Sequence, residues 1–213
     1  MDAVVTVTAV ETVGPDTVAI EVETPEGFEA APGQFVRLGA TVDGTEYARF
    51  YTISSADVAG TVEVTVGVDE AEGGPFSAHL AALAPGDRLT MSGPFGDQYY
   101  RGESRVVVLA GGPGVGAAVG IGERALADGA SVAVVYRDDG APVHRDRLAA
   151  LREAGADVTV TDGPIDDAVA AALAGTPGEQ VFVYGFEAFV EEARRALADA
   201  GADPADAKVE SFG

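Results

Sequence analysis

The chain has 213 residues, 47% of them hydrophobic, and its 35 Asp and Glu outnumber 13 Lys and Arg to give a formal net charge of −22. This length suits one large domain or two small ones, and the apolar content is sufficient for a packed core. The absence of cysteine excludes disulfides, thiol nucleophiles and cysteine-held zinc or iron–sulfur centres, and the acidity argues against nucleic acid bound on a basic face.

The first half of the chain is predicted to be antiparallel β-structure. Between residues 3 and 93, short stretches alternate apolar and polar residues, as in 4–8, 17–22 and 61–66, and Gly, Pro and Asp turn signals separate them. About six strands at this spacing predict a small antiparallel barrel or sandwich. One helix, over about 75–83, interrupts the strands.

The second half is predicted to be a parallel α/β structure. Continuous apolar runs such as 105–110 are typical of strands that are buried on both faces of a parallel sheet. Further strands are expected at 131–136, 157–160, 180–184 and 207–210, and helices at 114–127, 146–154, 165–173 and 187–200. This alternation predicts a five-stranded doubly wound sheet. We therefore expect two domains, 1–100 and 101–213.

The turn after the first strand of the second half carries the clearest ligand signal. Residues 111–117 are Gly-rich, and Gly112, Gly114 and Ala117 fit the pattern G-x-G-x-x-A. Glycines there let the backbone approach a pyrophosphate, and the helix that follows presents free N–H groups. A Gly-rich turn that serves only tight packing is the alternative. A P-loop is excluded because no G-K-[ST] follows.

The end of the second strand of this half leaves the choice of nucleotide open. Arg137 there favours the 2′-phosphate of NADP, whereas Asp138 or Asp139 would repel that phosphate and select NAD. An exposed turn without a ligand is an equal alternative. We also expect a local basic cluster to attract nucleotide phosphates; it comprises Arg137, His144, Arg145 and Arg147.

Two segments of the barrel half could also contact an anion. Arg49, Tyr51 and Ile53 alternate with Phe50, Thr52 and Ser54 along one predicted strand. An Arg and an aromatic ring on one face suit a phosphate and a stacked ring, although in isolation an ordinary barrel strand is favoured. Residues 73–80 form a Gly-rich turn that enters the predicted helix and offers a second backbone anion site.

Five motifs, in order and at matching spacing, make the whole chain resemble the ferredoxin–NADP reductase superfamily. Arg49-x-Tyr51-Thr52 is similar to its R-x-Y-[ST] flavin motif, and Gly74-x-x-Ser77 resembles its G-x-x-[ST] flavin-phosphate motif. The remaining three are the P-G-D…G-P-x-G closure at 85–96, the G-G-T-G-[IV] nucleotide loop at 111–115 and the E-x-[FY] ending at 210–212.

The resemblance implies a six-stranded FAD-binding barrel followed by an NAD(P)-binding domain. Arg49 would pair with the FAD pyrophosphate, Tyr51 would pack against the flavin, and Thr52 would donate a hydrogen bond near flavin N5. Phe212 would cover the flavin until nicotinamide displaces it, with Glu210 nearby; Thr52, Glu210 and Phe212 are the implied catalytic residues. The implied cofactor-binding set also includes Ile53, Ser54, Val66, Val68, Gly73, Gly74, Pro75, Phe76, Ser77, Gly112, Pro113, Gly114, Val115, Arg137, Tyr184, Gly185 and Phe186.

Two departures from the family pattern concern the nicotinamide side. Pro113 replaces the Thr of the nucleotide loop, which removes a hydroxyl and an N–H. Tyr184-Gly185-Phe186 replaces the usual C-G-P, and Tyr184 would either stack on a ring or serve as a strand-end aromatic. The resemblance implies hydride transfer from NAD(P)H to flavin N5 and then single electrons to a soluble carrier, ferredoxin or flavodoxin. The alternatives are an FAD-binding electron-transfer subunit with weak or no NAD(P)H use, and a flavin-free NAD-binding module.

The remaining expectations concern environment and partners. No apolar run reaches the ~18 residues of a membrane span and no basic-then-apolar signal begins the chain, so we expect a cytoplasmic protein without a membrane partner. Two histidines predict no metal site. A single Lys among many Asp, Glu and Ala resembles the composition of proteins from halophilic archaea. We expect a monomer or a weak homo-oligomer.

Overall fold

The computed structural model describes residues 2–68 and 70–212, and over 70–73 it describes the backbone alone. The described residues form a six-stranded antiparallel sheet and a five-stranded parallel sheet. The predicted fold class is therefore confirmed. The chain passes from one sheet to the other between Phe95 and Arg105. The division into domains 1–100 and 101–213 stays a prediction.

The antiparallel sheet is built from short strands whose alternate residues face one core. The strands are β1 (Asp2–Gly14), β2 (Thr17–Glu23), β3 (Phe35–Val42), β4 (Thr45–Thr52), β5 (Thr61–Gly67) and β6 (Arg88–Phe95), and they lie in the order β4-β3-β6-β1-β2-β5. A bridge from Ile53 to Val64 joins the two ends of this order. The sheet thus closes into a barrel around buried Val, Ile and Leu side chains.

The helix of this half, α1 (Glu70–Ala81), begins five residues before the predicted start and is interrupted at Gly74, whose backbone is non-helical at φ 59° and ψ −163°. The sequence pattern indicated only the part after Pro75, because the residues before it lack an apolar helical period. Phe76 and Leu80 from the later part are fully buried in the barrel. Burial of these two side chains fixes the turn at Gly74 against the barrel.

The parallel sheet has the order β11-β10-β7-β8-β9. Its strands are β7 (Arg105–Gly111), β8 (Ser131–Arg137), β9 (Asp157–Thr161), β10 (Glu179–Gly185) and β11 (Lys208–Ser211), and its helices are α2 (Val115–Ala127), α3 (Arg145–Glu153), α4 (Asp166–Ala172) and α5 (Glu187–Asp199). From β7 the order runs to β8 on one side and to β10 on the other. Ligands of such sheets bind at this reversal, outside the carboxyl ends of the strands.

A polar network joins the two halves, and Arg147 of α3 lies at its centre. Its guanidinium donates to both carboxylate oxygens of Glu123 at 2.7 Å, to Glu63 Oε1 at 2.8 Å and to the Ser54 carbonyl at 2.7 Å. Glu63 and Ser54 belong to the barrel, whereas Glu123 belongs to α2. One cation thus holds both domains.

His144 adds a second buried link between the halves. It precedes α3 and has a left-handed backbone (φ 52°). Its ring Nε2 lies 2.8 Å from Thr65 Oγ1 of the barrel, and its backbone N–H donates to the Val13 carbonyl. Burial lowers the pKa of His144 to about 4, and the neighbouring Arg147 guanidinium adds to this shift. The imidazole is therefore neutral in the folded protein near pH 7.

Two kinds of feature, a membrane-spanning helix and a metal-binding cluster, are absent from the described part of the chain. None of its helices is long and apolar enough to cross a membrane. These same residues contain no group of three or more His, Asp or Glu side chains placed to bind a metal ion.

We predict that His144 makes stability depend on pH. Its pKa is about 4 when folded and about 6.5 when unfolded, so the unfolded chain binds a proton that the folded chain excludes. The contribution is present above pH 6.5 and is lost as the pH falls toward 4, with a total on the order of 3 kcal/mol. Denaturant unfolding of wild type and His144→Gln between pH 7 and 4, at constant high salt, measures the difference.

His79→Gln is the matched control, because it removes the other histidine of the chain, which is half-buried on α1. We expect this variant to retain the wild-type pH dependence. Equal slopes for wild type and His144→Gln would contradict the prediction.

Candidate functional site

A cavity of about 860 Å³ opens between the barrel and the parallel sheet. This volume lies within the range of about 300–1,000 Å³ that ligand pockets occupy. Its wall is formed by the β1–β2 turn, strands β3 to β5, the turns after β7, β8 and β10, and the segment around β11. The lining residues are Pro15, Asp16, Thr17, Phe35, Arg49, Phe50, Tyr51, Thr52, Thr65, Gly67, Gly112, Pro113, Asp138, Gly140, Ala141, Val143, Phe186, Glu210, Ser211 and Phe212.

Strand β4 places Arg49, Tyr51 and Thr52 on the barrel side of this cavity. The Tyr51 hydroxyl is buried, and within the described part of the chain it has no hydrogen-bond partner. Burial raises the pKa of Tyr51 to about 12, although the positive charge of Arg49 opposes the shift. The group is a neutral donor with no acceptor among the described residues, which is unusual for a buried hydroxyl.

The turn before the second part of α1 lies beside Arg49. A Cβ atom on Gly74 would stand 3.9 Å from Nη2 of Arg49, and the positive φ of 59° suits glycine. Ser77 is buried and its hydroxyl donates to the Gly74 carbonyl at 3.1 Å. Phe76 is buried and stacks on Tyr47 with ring centroids 6.0 Å apart. The structure thus brings a guanidinium and a helix start together, which suits an anion.

The rest of this segment contributes less to the cavity. Pro75 is exposed, and Gly73 lies where only the backbone is described. None of the residues from Gly74 to Ser77 is among those that line the cavity. Residues 74–77 instead lie beside the cavity, next to Arg49, which lines it.

The two glycines of the nucleotide loop have different roles. Gly112 lines the cavity with a positive φ of 52°, and a Cβ there would meet nothing within 4 Å. Gly114 is buried, and a Cβ there would collide with the Tyr184 carbonyl. Pro113 lines the cavity, whereas Val115 is fully buried beneath it. Gly112 and Pro113 thus form the ligand-facing part of the loop, and Gly114 permits close packing.

Strand β11 brings its last residues to the opposite wall. Glu210 and Phe212 line the cavity, and Phe212 packs edge-on against Phe186 with ring centroids 6.0 Å apart. The Phe212 N–H donates to the Gly185 carbonyl at 3.0 Å. Burial raises the pKa of the Glu210 carboxyl. This wall offers an aromatic ring and a carboxyl that retains its proton more readily than an exposed one.

Several sequence-predicted residues lie outside the cavity lining. Ile53, Ser54 and Val66 are fully buried in the barrel, while Val68 is half-buried beside it. Gly185 is buried at the end of β10. The Ser54 hydroxyl donates to Glu63 Oε1 at 2.7 Å, which makes it part of the network between the domains.

Tyr184 is buried away from the cavity, and its hydroxyl donates to the Gln98 carbonyl at 2.5 Å and lies 3.3 Å from the Gly33 carbonyl. Of the two alternatives for this residue, the structure thus has the strand-end aromatic, with its hydroxyl directed to the barrel. Desolvation raises the pKa of Tyr184. The side chain is a neutral link between the two halves.

The predicted basic cluster is not a group of free cations. Arg147 and His144 belong to the interdomain network. Arg137 forms ion pairs with Glu192 and Asp139. Arg145 is exposed and does not line the cavity. Three of the four side chains are thus engaged within the protein, and the expectation that the cluster attracts nucleotide phosphates stays a prediction.

Sequence reasoning missed several cavity residues from the barrel. Asp16 was visible only as part of a turn, and Phe35, Thr65 and Gly67 lay in ordinary strand patterns. Asp16 reaches the cavity because the end of β1 lies against the second domain, where the Val13 carbonyl accepts from the His144 backbone N–H. No local pattern indicates such a contact between distant segments.

Comparisons with known proteins agree with this geometry. Residues 4–100 match the family model of the oxidoreductase FAD-binding domain. The chain is 35% identical over 85 residues to NADH-cytochrome b5 reductase 1 of Eremothecium gossypii, which covers 39% of this chain and 30% of that protein. It is 31% identical over 108 residues to a probable dihydroorotate dehydrogenase B (NAD(+)), electron transfer subunit, of Methanopyrus kandleri, which covers 51% of this chain and 38% of that protein.

The matched segments thus span less than half the length of either curated relative. Among solved structures, a ferredoxin NADP+ reductase from Neisseria gonorrhoeae with bound FAD and NADP superposes with a TM-score of 0.78 at 20% identity, over 100% of this chain and 99% of that chain. Residues 4–100 thus match an oxidoreductase FAD-binding domain, and the whole chain shares the fold of this ferredoxin NADP+ reductase, in agreement with the resemblance that the sequence motifs indicate.

Proposed function

We propose that this chain is a flavin-dependent NAD(P)H oxidoreductase that binds FAD on the barrel and NAD(P)H on the parallel sheet. One observation carries the proposal: a single cavity brings Arg49, Tyr51 and Thr52 of the barrel to face Gly112 of the nucleotide loop and Phe212. The family of the barrel domain and the names of the relatives support the same activity.

The residues present fit FAD. The buried Tyr51 hydroxyl lacks an acceptor among the described residues, and a flavin side chain with its hydroxyls and phosphates supplies acceptors. Within the described part of the chain no carboxylate forms an ion pair with Arg49. Its guanidinium beside the Gly74 turn is placed to bind a diphosphate bidentately. Gly73 to Ser77 are proposed to bind the same phosphates.

When bound, FAD supplies a ring that accepts a hydride from NAD(P)H and releases single electrons. The chain's own residues would position the flavin ring and shield it from water. The Thr52 hydroxyl is proposed to donate a hydrogen bond at the ring edge, because it is the polar group that follows Tyr51 into the cavity. Phe212, which lines the cavity, would cover the ring face and exclude water. Glu210, whose pKa burial raises, holds a proton or accepts a hydrogen bond from the nicotinamide side.

We further propose that the electrons leave to a soluble carrier of the ferredoxin or flavodoxin class. The matched relatives include reductases and an electron transfer subunit that act with other proteins. Beside the cavity, Phe50 is 59% exposed and Phe95 is 39% exposed, which leaves an apolar rim for such a contact. We also propose that the protein is cytoplasmic, adapted to high salt, and a monomer or a weak homo-oligomer.

A second candidate function is an FAD-binding electron-transfer subunit with weak NAD(P)H use. It is favoured by the Methanopyrus kandleri relative and by Pro113, which lines the cavity without the N–H or hydroxyl of the usual loop residue. The next experiment separates the two candidates.

We predict that the purified protein is yellow and that its flavin absorbance bleaches within seconds when NADH or NADPH is added without oxygen. Bleaching follows because the nucleotide loop and Arg49 face one cavity. Anaerobic stopped-flow absorbance in high salt measures the rate, and dithionite is the control for complete reduction. A flavoprotein that dithionite bleaches but neither nucleotide does would favour the second candidate.

We predict that Tyr51→Phe weakens FAD binding by about three- to tenfold, the worth of one hydrogen bond, without lowering the stability of the flavin-free protein. The variant removes a buried hydroxyl that has no partner among the described residues. Fluorescence titration of the flavin-free protein gives the affinity, and thermal unfolding gives the stability.

The matched control is Tyr47→Phe on the same strand, because Tyr47 packs against Phe76 and does not line the cavity. It should bind FAD like wild type. Equal FAD affinities of Tyr51→Phe and wild type would argue against a flavin contact at this hydroxyl.

We predict that the rate with a protein carrier rises between 0.1 and 1 M salt. A chain of net charge −22 repels an acidic carrier, and salt shortens the Debye length from about 10 Å to about 3 Å. Reduction of a small neutral quinone is the control and should change little. A steady fall of the carrier rate, at unchanged circular dichroism, would contradict this prediction.

A further inference from the structure

We propose that the nucleotide site selects NADH over NADPH, and that Glu192 sets this selection by holding the guanidinium of Arg137. The proposal rests on the proposed function, since it concerns the second substrate of the same cavity. It resolves the alternatives that the sequence leaves open at Arg137 and Asp138. Glu192 acts as a positioning residue, since its contact is with Arg137 and it does not line the cavity.

Arg137 lies at the position in the sheet that decides which ribose substituent a nucleotide can carry. It is the last residue of β8 and lies level with Gly111 in the parallel register of β7 and β8. A dinucleotide whose diphosphate lies on the turn after β7 places its adenosine ribose at the end of the next strand. A free cation at that end binds a 2′-phosphate, whereas a carboxylate binds the 2′-hydroxyl.

Arg137 is not free to receive a phosphate. Its Nη1 donates to Glu192 Oε2, and its Nη2 lies 3.4 Å from Asp139 Oδ1. The Glu192 side chain is only 12% exposed, so its carboxylate depends on Arg137 for charge compensation. One cation thus faces two anions. A 2′-phosphate would have to displace Glu192 and leave that carboxylate partly buried without a partner.

Asp138 presents a carboxylate to the cavity, which has the opposite charge to a phosphate-binding arginine. Its two carboxylate oxygens accept from the Tyr136 hydroxyl and from the Gly140 N–H, and the residue lines the cavity. Tyr136 is fully buried, and burial together with the bond to Asp138 raises the pKa of Tyr136. The carboxylate is therefore held in one orientation by neutral donors. It can accept hydrogen bonds from ribose hydroxyls, and it repels a phosphate.

The charges around the cavity favour the same nucleotide. Among the described lining residues the acids are Asp16, Asp138 and Glu210, and Arg49 is the only base. Arg49 is already assigned to the flavin diphosphate. NADPH carries an extra phosphate of about −1.5 to −2 charge, and no described base on the nucleotide side of the lining offsets it. NADH does not carry this charge.

The test compares nucleotide binding to the FAD-loaded protein. Titration calorimetry with NAD+ and NADP+ gives both Kd values, and steady-state kinetics gives the KM for NADH and NADPH. We expect wild type to bind NAD+ about tenfold or more tightly than NADP+. Glu192→Gln should shift the ratio about tenfold toward NADP+, because it frees Arg137 for a charge-assisted bond to the 2′-phosphate. The shift should appear in KM rather than in kcat.

Three variants separate this role from a general structural one. Glu192→Asp keeps the charge and should keep the wild-type ratio. Glu192→Gln combined with Arg137→Gln should lose the gain toward NADP+. Glu191→Gln removes the neighbouring exposed carboxylate of α5 and should leave the ratio unchanged.

Two results would overturn the inference and leave the proposed function intact. One is a wild-type flavin that is reduced equally well by NADPH and by NADH. The other is a Glu192→Gln variant with the wild-type ratio of NAD+ to NADP+ affinity. A protein that binds FAD but neither nucleotide would overturn both the inference and the NAD(P)H-dependent function.

Discussion

The guanidinium of Arg147 holds the two halves of the chain together, and the cavity exists only where those halves meet. It binds Glu123 with two parallel hydrogen bonds and reaches across to Glu63 and the Ser54 carbonyl. The side chains of Arg147, Glu63 and Glu123 keep 25%, 26% and 31% exposure, so their desolvation is partial. Such a network costs less to bury than a fully enclosed one and still specifies one arrangement of the domains.

Close packing beside this network sets the position of the nucleotide loop. Helix α2 begins directly after the loop, and its Gly116 and Gly120 face the barrel. A Cβ on Gly116 would lie 2.6 Å from Thr65 Oγ1, and one on Gly120 would lie 2.9 Å from the Ser54 carbonyl. Any side chain at these positions would push the helix away. The distance between strand β4 and Gly112 therefore depends on two residues that do not line the cavity.

The sequence predicts most of the fold because its signals are local. Apolar periods placed α2 and α5 within one residue of their observed bounds, and the motifs of β4 and the nucleotide loop led to residues that do share a cavity. Long-range partners could not be predicted in this way. The sequence leaves Tyr184 available for a ligand, but its hydroxyl donates to the Gln98 carbonyl, 86 residues away. The sequence likewise leaves Arg137 available, but its guanidinium pairs with Glu192. Side-chain contacts between distant segments leave no period or spacing to read.

The large negative charge explains why a basic residue in this chain is weak evidence for an anion site. With 35 acids against 13 bases, carboxylates lie within reach of many surface arginines, and some of these arginines form ion pairs with them. Arg105, Arg124 and Arg137 each do so. Arg49 differs, since no described carboxylate pairs with it and it faces the cavity. Where acids are in such excess, the informative cation is one that lines a cavity without an acidic partner, and among the described lining residues Arg49 meets this criterion.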